Sequence, residues 1–483
     1  MMKHRYASLR EGAELGVDDA EQRCRRKLWK RSIMSILALL ALAALVTFLA
    51  ASPRGDAHPG VGHEDGRLLF VGVLHRHGAR TGIHHYTFEN FTWPWKLGAL
   101  TLEGMEMGFN MGKKLRSDYW RHLTSSSSQM HIDATSTNVP RTIDTVHSAL
   151  LGLFLGDQVK TSSILERDCS CRPDRGGQAS SVECIGKCLG LDSVPSELPK
   201  VKVLQSSSIE ASLLQQPYVC KEYRTWLSDF DTSQQYSAAV DEFSEQIRFL
   251  KKVVNGDRLC FDDLTGKTIK NDETCTNITL EAVERVWDSA VCALFEGIDY
   301  PSPTNHTGLI DTFQPTVDWL WHHWFTVDQG PNMGGILLND ILERMHAAQV
   351  ADESLWKTEN RKMGKVAGFQ GASMVLYSAH DSTVASLLAA LGLENWSLPS
   401  FVAHITVELW ASGTSNETDP RVVLQYYDGR DGHMLDVRGC PDGTCAYSSL
   451  VAALSSRRMT MANCTFVAPK EAVNSTAAEK GRR

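Results

Sequence analysis

The sequence predicts an α/β fold, a mostly parallel sheet flanked by helices with a largely helical, Cys-rich cap inserted into it. Two short, continuous apolar runs, residues 68–74 (LLFVGVL) and 374–377, stop at polar residues, as strands buried on both faces do. The second is followed by SAHDST and an apolar stretch at 384–391 that suits a helix packing back on a sheet. Between them, residues 141–154 place Val146, Leu150, Leu153 and Phe154 at helical spacing after the polar loop DATSTNVP. Strand, polar loop and helix in succession describe an open α/β sheet, where reactive side chains gather beyond the carboxyl ends of the strands. Residues 156–307 break this rhythm with Cys and Ser and a helix expected over 238–253.

Length and composition leave room for such a fold. The chain has 483 residues, 42% of them hydrophobic and 22% charged, so a large core is available and collagen-like or wholly disordered states are excluded. Its formal charge is −8, unevenly spread: residues 1–32 hold nine Lys or Arg against five Asp or Glu, and the remainder nets −12. An acidic body has no electrostatic attraction for phosphate backbones, so no nucleic-acid partner is expected.

Residues 33–51 (IMSILALLALAALVTFLAA) carry no charge. As a helix rising ~1.5 Å per residue they span about one hydrocarbon core. Arg23, Arg25, Arg26, Lys27, Lys30 and Arg31 precede the segment and Arg54 follows it. The positive-inside rule then predicts a single-pass type II signal anchor, with the lipid bilayer as partner, a cytoplasmic tail at 1–32 and the body in a lumen or outside the cell. The alternative is a cleaved signal peptide, whose apolar region is typically shorter, about 7–15 residues, and nearer the N-terminus. The expected order continues with a stem at 52–66, a catalytic core at 67–155 and 308–467, the cap at 156–307, and a polar, disordered tail at 468–483.

Two counts agree with a translocated body. N-x-S/T sequons stand at Asn90, Asn277, Asn305, Asn395, Asn416, Asn463 and Asn474, all beyond the apolar segment. Eleven of the twelve Cys also lie beyond it, where an oxidising compartment would pair them, and the odd number leaves at least one thiol over. Cys169-x-Cys171 and Cys184-x3-Cys188 have zinc-knuckle spacing, but disulfides are the stronger expectation in such a compartment.

The chemistry concentrates in His-Arg-His-Gly-Ala-Arg at residues 75–80, which sets an imidazole between two guanidiniums at the end of a predicted strand. A guanidinium keeps its charge and donates two parallel hydrogen bonds that match phosphate or carboxylate oxygens. A neutral imidazole beside it can attack phosphorus, and Gly78 is expected to let a ligand approach the backbone. Taken alone, the hexapeptide also fits surface charge or a metal site on His75-x-His77. Two adjacent Arg disfavour the metal.

Arg76-His77-Gly78-Ala79-Arg80 and Tyr377-Ser378-Ala379-His380-Asp381 resemble the two signatures of the histidine acid phosphatases, the second branch of the histidine phosphatase superfamily. The residues 98–106 (GALTLEGME) are similar to the family's G-x-L-T-x-x-G-M-E segment, and Thr137–Thr142 stands where the family has a loop ending in Arg-Thr. Gly334-Gly335-Ile336-Leu337-Leu338-Asn339 and Gly439-Cys440 with Cys445 also match in kind and order. The resemblance covers about residues 68–464 and implies a phosphoglycerate-mutase-like α/β fold. It implies that His77 is the nucleophile that becomes a phosphohistidine and that Arg76, Arg80 and Arg141 clamp the phosphoryl oxygens. His380 would hydrogen-bond one of them, and Asp381 would protonate the leaving alcohol. No metal or other cofactor is implied, and Cys440 and Cys445 would close a small disulfide loop.

Several positions depart from the family pattern. Gly82 stands for a usual Pro, Ala79 for an acidic or polar residue, and Thr135 for an Arg. Ala403 replaces a Cys, leaving Cys292 without its usual partner. His84-His85 and Trp321-His322-His323-Trp324 are candidates for the substrate mouth, although such residues more often pack or face solvent. The expected activity is acid phosphatase, a phosphomonoester hydrolase working at acidic pH. Membrane-anchored members of the family with a similar Cys-x-Cys cap suggest a phosphosugar on a nascent glycan as substrate; a broad-specificity surface acid phosphatase is the other expectation, and the body is expected in the Golgi, an endosome or lysosome, or at the cell surface. The rival from another class is a catalytically silent glycoprotein that binds phosphorylated glycans or proteins. The intact His77 and Asp381 argue against it, since a silent protein has no chemical need of either.

Overall fold

The computed structural model describes residues 66–468, apart from 85, 87, 90, 125–130, 157–168, 172–177, 255–260, 263–266, 269–278, 300–305, 362–372 and 412–418. The expected tail, anchor and stem therefore lie outside the described residues, as do the polar end from 469 and the sequons Asn90, Asn277, Asn305, Asn416 and Asn474. Among the described residues no helix is long and apolar enough to cross a membrane.

The core is an eight-stranded sheet. Its members are β1 (Leu68–Arg76), β2 (His131–Thr137), β3 (Val201–Leu204), β6 (Ser373–Ala379), β7 (His404–Trp410), β8 (Arg421–Tyr427), β9 (Gly432–Met434) and β10 (Thr444–Ala446); β4 (Phe261–Asp262) and β5 (Lys267–Thr268) pair separately. The order is β10-β8-β7-β1-β6-β2-β3, with β9 beside β8. Every residue of β1 is buried, which explains the unbroken apolar run. Phe70 and Leu74 face one layer of helices, while Val71 and Val73 face the other, as the two-residue period of a strand requires.

The structure refines three expectations about architecture. The sheet is parallel only through β1, β6, β2 and β3. From β7 outward the pairs are antiparallel; β7 ends at Trp410 and β8 starts at Arg421, a short connection of the kind that antiparallel neighbours allow. The segment expected to be a cap also contributes β3 to the central sheet. The helix expected over 238–253 is two, breaking at Phe243, whose backbone leaves the helical region.

Among the described residues there are twelve α-helices: α1 (Leu102–Thr124), α2 (Pro140–Leu155), α3 (Val182–Cys188), α4 (Ser212–Val219), α5 (Lys221–Asp231), α6 (Gln234–Glu242), α7 (Ser244–Val253), α8 (Leu280–Phe295), α9 (His306–Trp324), α10 (Gly330–Arg361), α11 (Asp381–Leu391) and α12 (Tyr447–Leu454). Helices α1 and α2 cover one face, where Leu115, Val146 and Leu150 meet Val71, Val73 and Leu376. On the other face, Leu337, Ile341, Val384 and Leu388 of α10 and α11 meet Phe70, Leu74 and Tyr377. Both pairs of helices touch through glycine. A Cβ at Gly112 would lie 2.0 Å from the Ala149 carbonyl oxygen, and one at Gly334 would lie 2.3 Å from that of Ser386. Gly334 in the Gly-Gly-Ile-Leu-Leu-Asn string is thus a packing residue.

Helices α6 to α9 gather round a second core that includes Ala79, just beyond β1, and Phe401, just before β7. The inserted segment is thereby tied to the strand ends where the polar motifs lie. Four disulfides occur among the described residues: Cys169–Cys188, Cys171–Cys184, Cys220–Cys464 and Cys440–Cys445. The first two consume the zinc-knuckle spacing, and the last is the loop expected from the family resemblance. Cys292 is a buried free thiol.

Candidate active site

Three parallel strands end at one place and deliver the polar motifs together. The His77 amide donates to the Ala379 carbonyl at 3.0 Å, joining the ends of β1 and β6. The His77 carbonyl accepts from Val402 at 3.2 Å, and Val402 holds φ at 54°, a strained value for a β-branched residue. Helix α11 begins immediately after His380, with Asp381 in its first turn. Helix α2 begins at Pro140, whose fixed φ suits the first helical position, and carries Arg141 next. The amino ends of both helices therefore belong to this site, where the positive end of the helix dipole favours an anion.

Gly78 has a different purpose from the one expected. A Cβ there would lie 2.2 Å from the Gly104 carbonyl oxygen, and a Cβ on Gly104 would lie 2.0 Å from that of Ala79. The two glycines press the catalytic loop against the start of α1, so the close approach is backbone to backbone. Thr101 completes the joint: its amide donates to Ala79 at 3.0 Å, and its hydroxyl accepts from the Gly104 amide at 3.2 Å. The Leu-Thr-x-x-Gly string is a support for the residue that follows Gly78.

His77 is buried, and its Nδ1 lies 2.9 Å from the Gly78 carbonyl oxygen. A carbonyl only accepts, so Nδ1 carries the proton and Nε2 keeps its lone pair. Burial, then Arg141, Arg76, Arg80 and His380, hold His77 well below the usual histidine value. His380 lies across from it, ring centroids 5.6 Å apart, with Nε2 at 3.1 Å from the Thr137 hydroxyl. Burial and then Arg141 push His380 down to about 3. Thr137 also lies 2.8 Å from the Thr142 hydroxyl, so hydroxyl contacts anchor the loop before Arg141 in a chain that has Thr135 where relatives have Arg.

The guanidiniums are held differently. Arg76 donates to the Pro399 carbonyl at 2.6 Å, pairs with Asp381 at 2.8 Å, and lies 4.3 Å from the centroid of the Phe401 ring. Arg80 sends one nitrogen to both Asp288 oxygens, at 2.8 and 2.9 Å, and the other to the Cys292 sulfur at 3.1 Å. Arg141 has no carboxylate partner among the described residues, and its Nε is buried and unpaired. Burial and Arg80 lower it to about 10, which leaves it charged. For Asp381, burial favours the neutral acid, but Arg76, His380 and Arg80 outweigh it and keep the carboxyl low.

Of these groups, Arg80 and Asp381 line a cavity of about 310 Å³, together with Glu284, Asp288, Trp324 and His84 among others. His84 lines this cavity, whereas His85 lies outside the described residues. Trp321 and Trp324 line the cavity; His322 stacks on Trp396 and His323 on Trp319 instead. Reading the sequence missed Glu284 and Asp288. With Cys292 they repeat every four residues along α8, one helical stripe, but nothing in that spacing says which element it faces.

The profile of the histidine phosphatase superfamily (branch 2) matches residues 67–426. The chain belongs to that family. It is 25% identical over 392 residues to testicular acid phosphatase of Mus musculus, covering 78% of this chain and 77% of the relative. Lysosomal acid phosphatase of Homo sapiens is 24% identical over 384 residues, covering 77% of this chain and 74% of the relative. Prostatic acid phosphatase of Bos taurus is 24% identical over 408, covering 82% and 87%. Hafnia alvei phytase in complex with myo-inositol hexakis sulphate shares the fold at TM-score 0.51 and 13% identity, covering 82% of this chain and 98% of that one. Klebsiella sp ASR1 phytase does so at TM-score 0.51 and 15% identity, covering 82% and 97%. As a branch 2 histidine phosphatase, the protein is a phosphatase, and its two signature strings meet at His77 and His380.

The electrostatics make a direct prediction. With labelled histidine, the His77 and His380 ring resonances should not titrate between about pH 5 and 8, where an ordinary histidine changes charge. Arg141→Ala should raise the His77 titration without restoring the ordinary value, because burial remains its largest cause. A wild-type His77 titrating near its unperturbed value of about 6.5 would refute the assignment.

Proposed function

We propose that the protein hydrolyses phosphomonoesters through a phosphohistidine on His77, with Asp381 as general acid. The observation that supports this best is the protonated Nδ1 of a neutral His77, which leaves Nε2 free beside three guanidiniums. Arg76, Arg80 and Arg141 bind the phosphoryl oxygens, and His380 donates to one of them. A phosphoryl group in transfer spreads negative charge over its oxygens, and fixed guanidiniums stabilise that charge without reorganising. The resting carboxylate Asp381 must first gain a proton. A bound phosphate helps, since it competes for Arg76 and adds negative charge nearby, both of which raise the Asp381 pKa. Activity therefore favours acidic pH, where His77 stays neutral.

The substrate is a phosphosugar on a glycan or a broad range of phosphomonoesters. The body lies in a lysosomal or secretory compartment, anchored through residues 33–51 in type II orientation. Four disulfides and the lysosomal name of one relative support the compartment, and the charge bias around the apolar segment supports the orientation. The sequons Asn395 and Asn463 are exposed, as glycan acceptors must be.

Asp381→Asn tests the acid. An alkoxide leaves poorly without a proton and nitrophenolate leaves readily, so single-turnover phosphorylation should fall by about 10²–10⁴-fold with an alkyl phosphate and far less with p-nitrophenyl phosphate. Equal losses would assign Asp381 to orienting His380. For topology, endoglycosidase should reduce the mass of the membrane-bound protein; unshifted mass with a body digestible from the cytosol would reverse the orientation.

A further inference from the structure

Helix α8 turns Glu284, Asp288 and Cys292 toward the site as one stripe. Cys292 and Asp288 are occupied by Arg80. Glu284 has no such task, yet it lines the same 310 Å³ cavity as Asp381. Facing that cavity are Arg285 and Asp288 from α8, Arg80 and His84 from the loop after β1, Tyr218 from α4, and Asp381 from α11.

These surroundings drive two carboxyls in opposite directions. Burial and then Asp288 push Glu284 up to about 8, with Arg285 opposing. Asp381 goes down, because Arg76, His380 and Arg80 outweigh its burial. Over the range between them, the cavity holds one carboxylic acid and one carboxylate, the division that separates a proton donor from a charge. The mechanism above asks Asp381 to donate a proton that its resting ion pair with Arg76 denies it.

We propose that Glu284 is the proton store of the site, a carboxyl across the cavity that protonates Asp381 once substrate phosphate has drawn Arg76 away. This rests on the phosphohydrolase reading. The proton leaves the Glu284 carboxyl and joins an Asp381 oxygen, directly or through one water. Asp381 then gives it to the bridging oxygen as the P–O bond breaks, the bond's electron pair stays on that oxygen, and Nε2 of His77 bonds to phosphorus. In the second half, Asp381 takes a proton from the water that attacks the phosphohistidine, and that proton returns to Glu284. The cycle balances without a further reactant. Because Glu284 acts through Asp381, it is a positioning residue for the proton, and its loss should appear in the pH profile.

The test uses the full chain in detergent and two substrates, glycerol 2-phosphate and p-nitrophenyl phosphate, with kcat/KM followed from about pH 4 to 8. Glu284→Gln should move the basic limb for glycerol phosphate down by about one pH unit and lower the rate near neutrality ~10-fold. The p-nitrophenyl phosphate profile, whose leaving group needs no acid, should stay in place and also report that the variant is folded. Glu284→Asp keeps an acid and should retain the wild-type limb. Glu284→Ser is a second acid-free variant, expected to behave as Gln does, and it decides the matter should Gln disturb folding. Unchanged limbs with glycerol phosphate, or equal changes on both substrates, would overturn the proposal. A wild-type chain inactive on both substrates would instead bring down the phosphohydrolase reading, and the proton store with it.

Discussion

A neutral imidazole enclosed by guanidiniums is the constraint on which this site depends. A free histidine is largely protonated in an acidic compartment and has no lone pair to offer phosphorus. Here burial and the charges of Arg141, Arg76 and Arg80 make protonation of His77 unfavourable. The Gly78 carbonyl then fixes which nitrogen keeps the proton. The same three charges that keep His77 neutral are those that would suit a transferred phosphoryl group.

Like charges gathered in a buried place must be neutralised while no substrate is present. The resting site shows how. Asp381 answers Arg76 and Asp288 answers Arg80, while Arg141 carries the imbalance as a lowered pKa. Asp288 and Cys292 both come from α8, so the inserted segment supplies part of the support for Arg80. Nothing in the inserted helices needs to perform chemistry for their removal to disturb Arg80. On the other side, Gly78 and Gly104 allow α1 to brace the loop between His77 and Arg80. On that side the joint is backbone against backbone.

Much of this was legible in the sequence, for identifiable reasons. The apolar runs of β1 and β6 stand out because both strands are buried on both faces, and His77 and His380 sit at their ends. Arg141 was legible only through the family resemblance of the Thr137–Thr142 string, which ends in Arg-Thr. The antiparallel half of the sheet was not: β7 (HITVELW) alternates polar and apolar residues although every one of them is buried, so it lacks the continuous apolar run that marks β1 and β6. Strand β3 escaped notice because four edge residues carry little pattern. Glu284 and Asp288 were hidden for a different reason. Periodicity shows that they share a helix face, but which element that face meets is a property of tertiary packing. Gly78 was marked as special, and the structure changes the reason from ligand approach to contact with Gly104.

The central claim is that phosphorus bonds to His77. It is tested most directly by mixing the full chain with labelled substrate at acidic pH, quenching rapidly into alkali, where phosphohistidine survives, and locating the label by peptide mapping. The account predicts a labelled histidine at residue 77 in the wild type and none in His77→Ala. Equal labelling of the variant, or wild-type turnover with no alkali-stable label at any quench time, would contradict it.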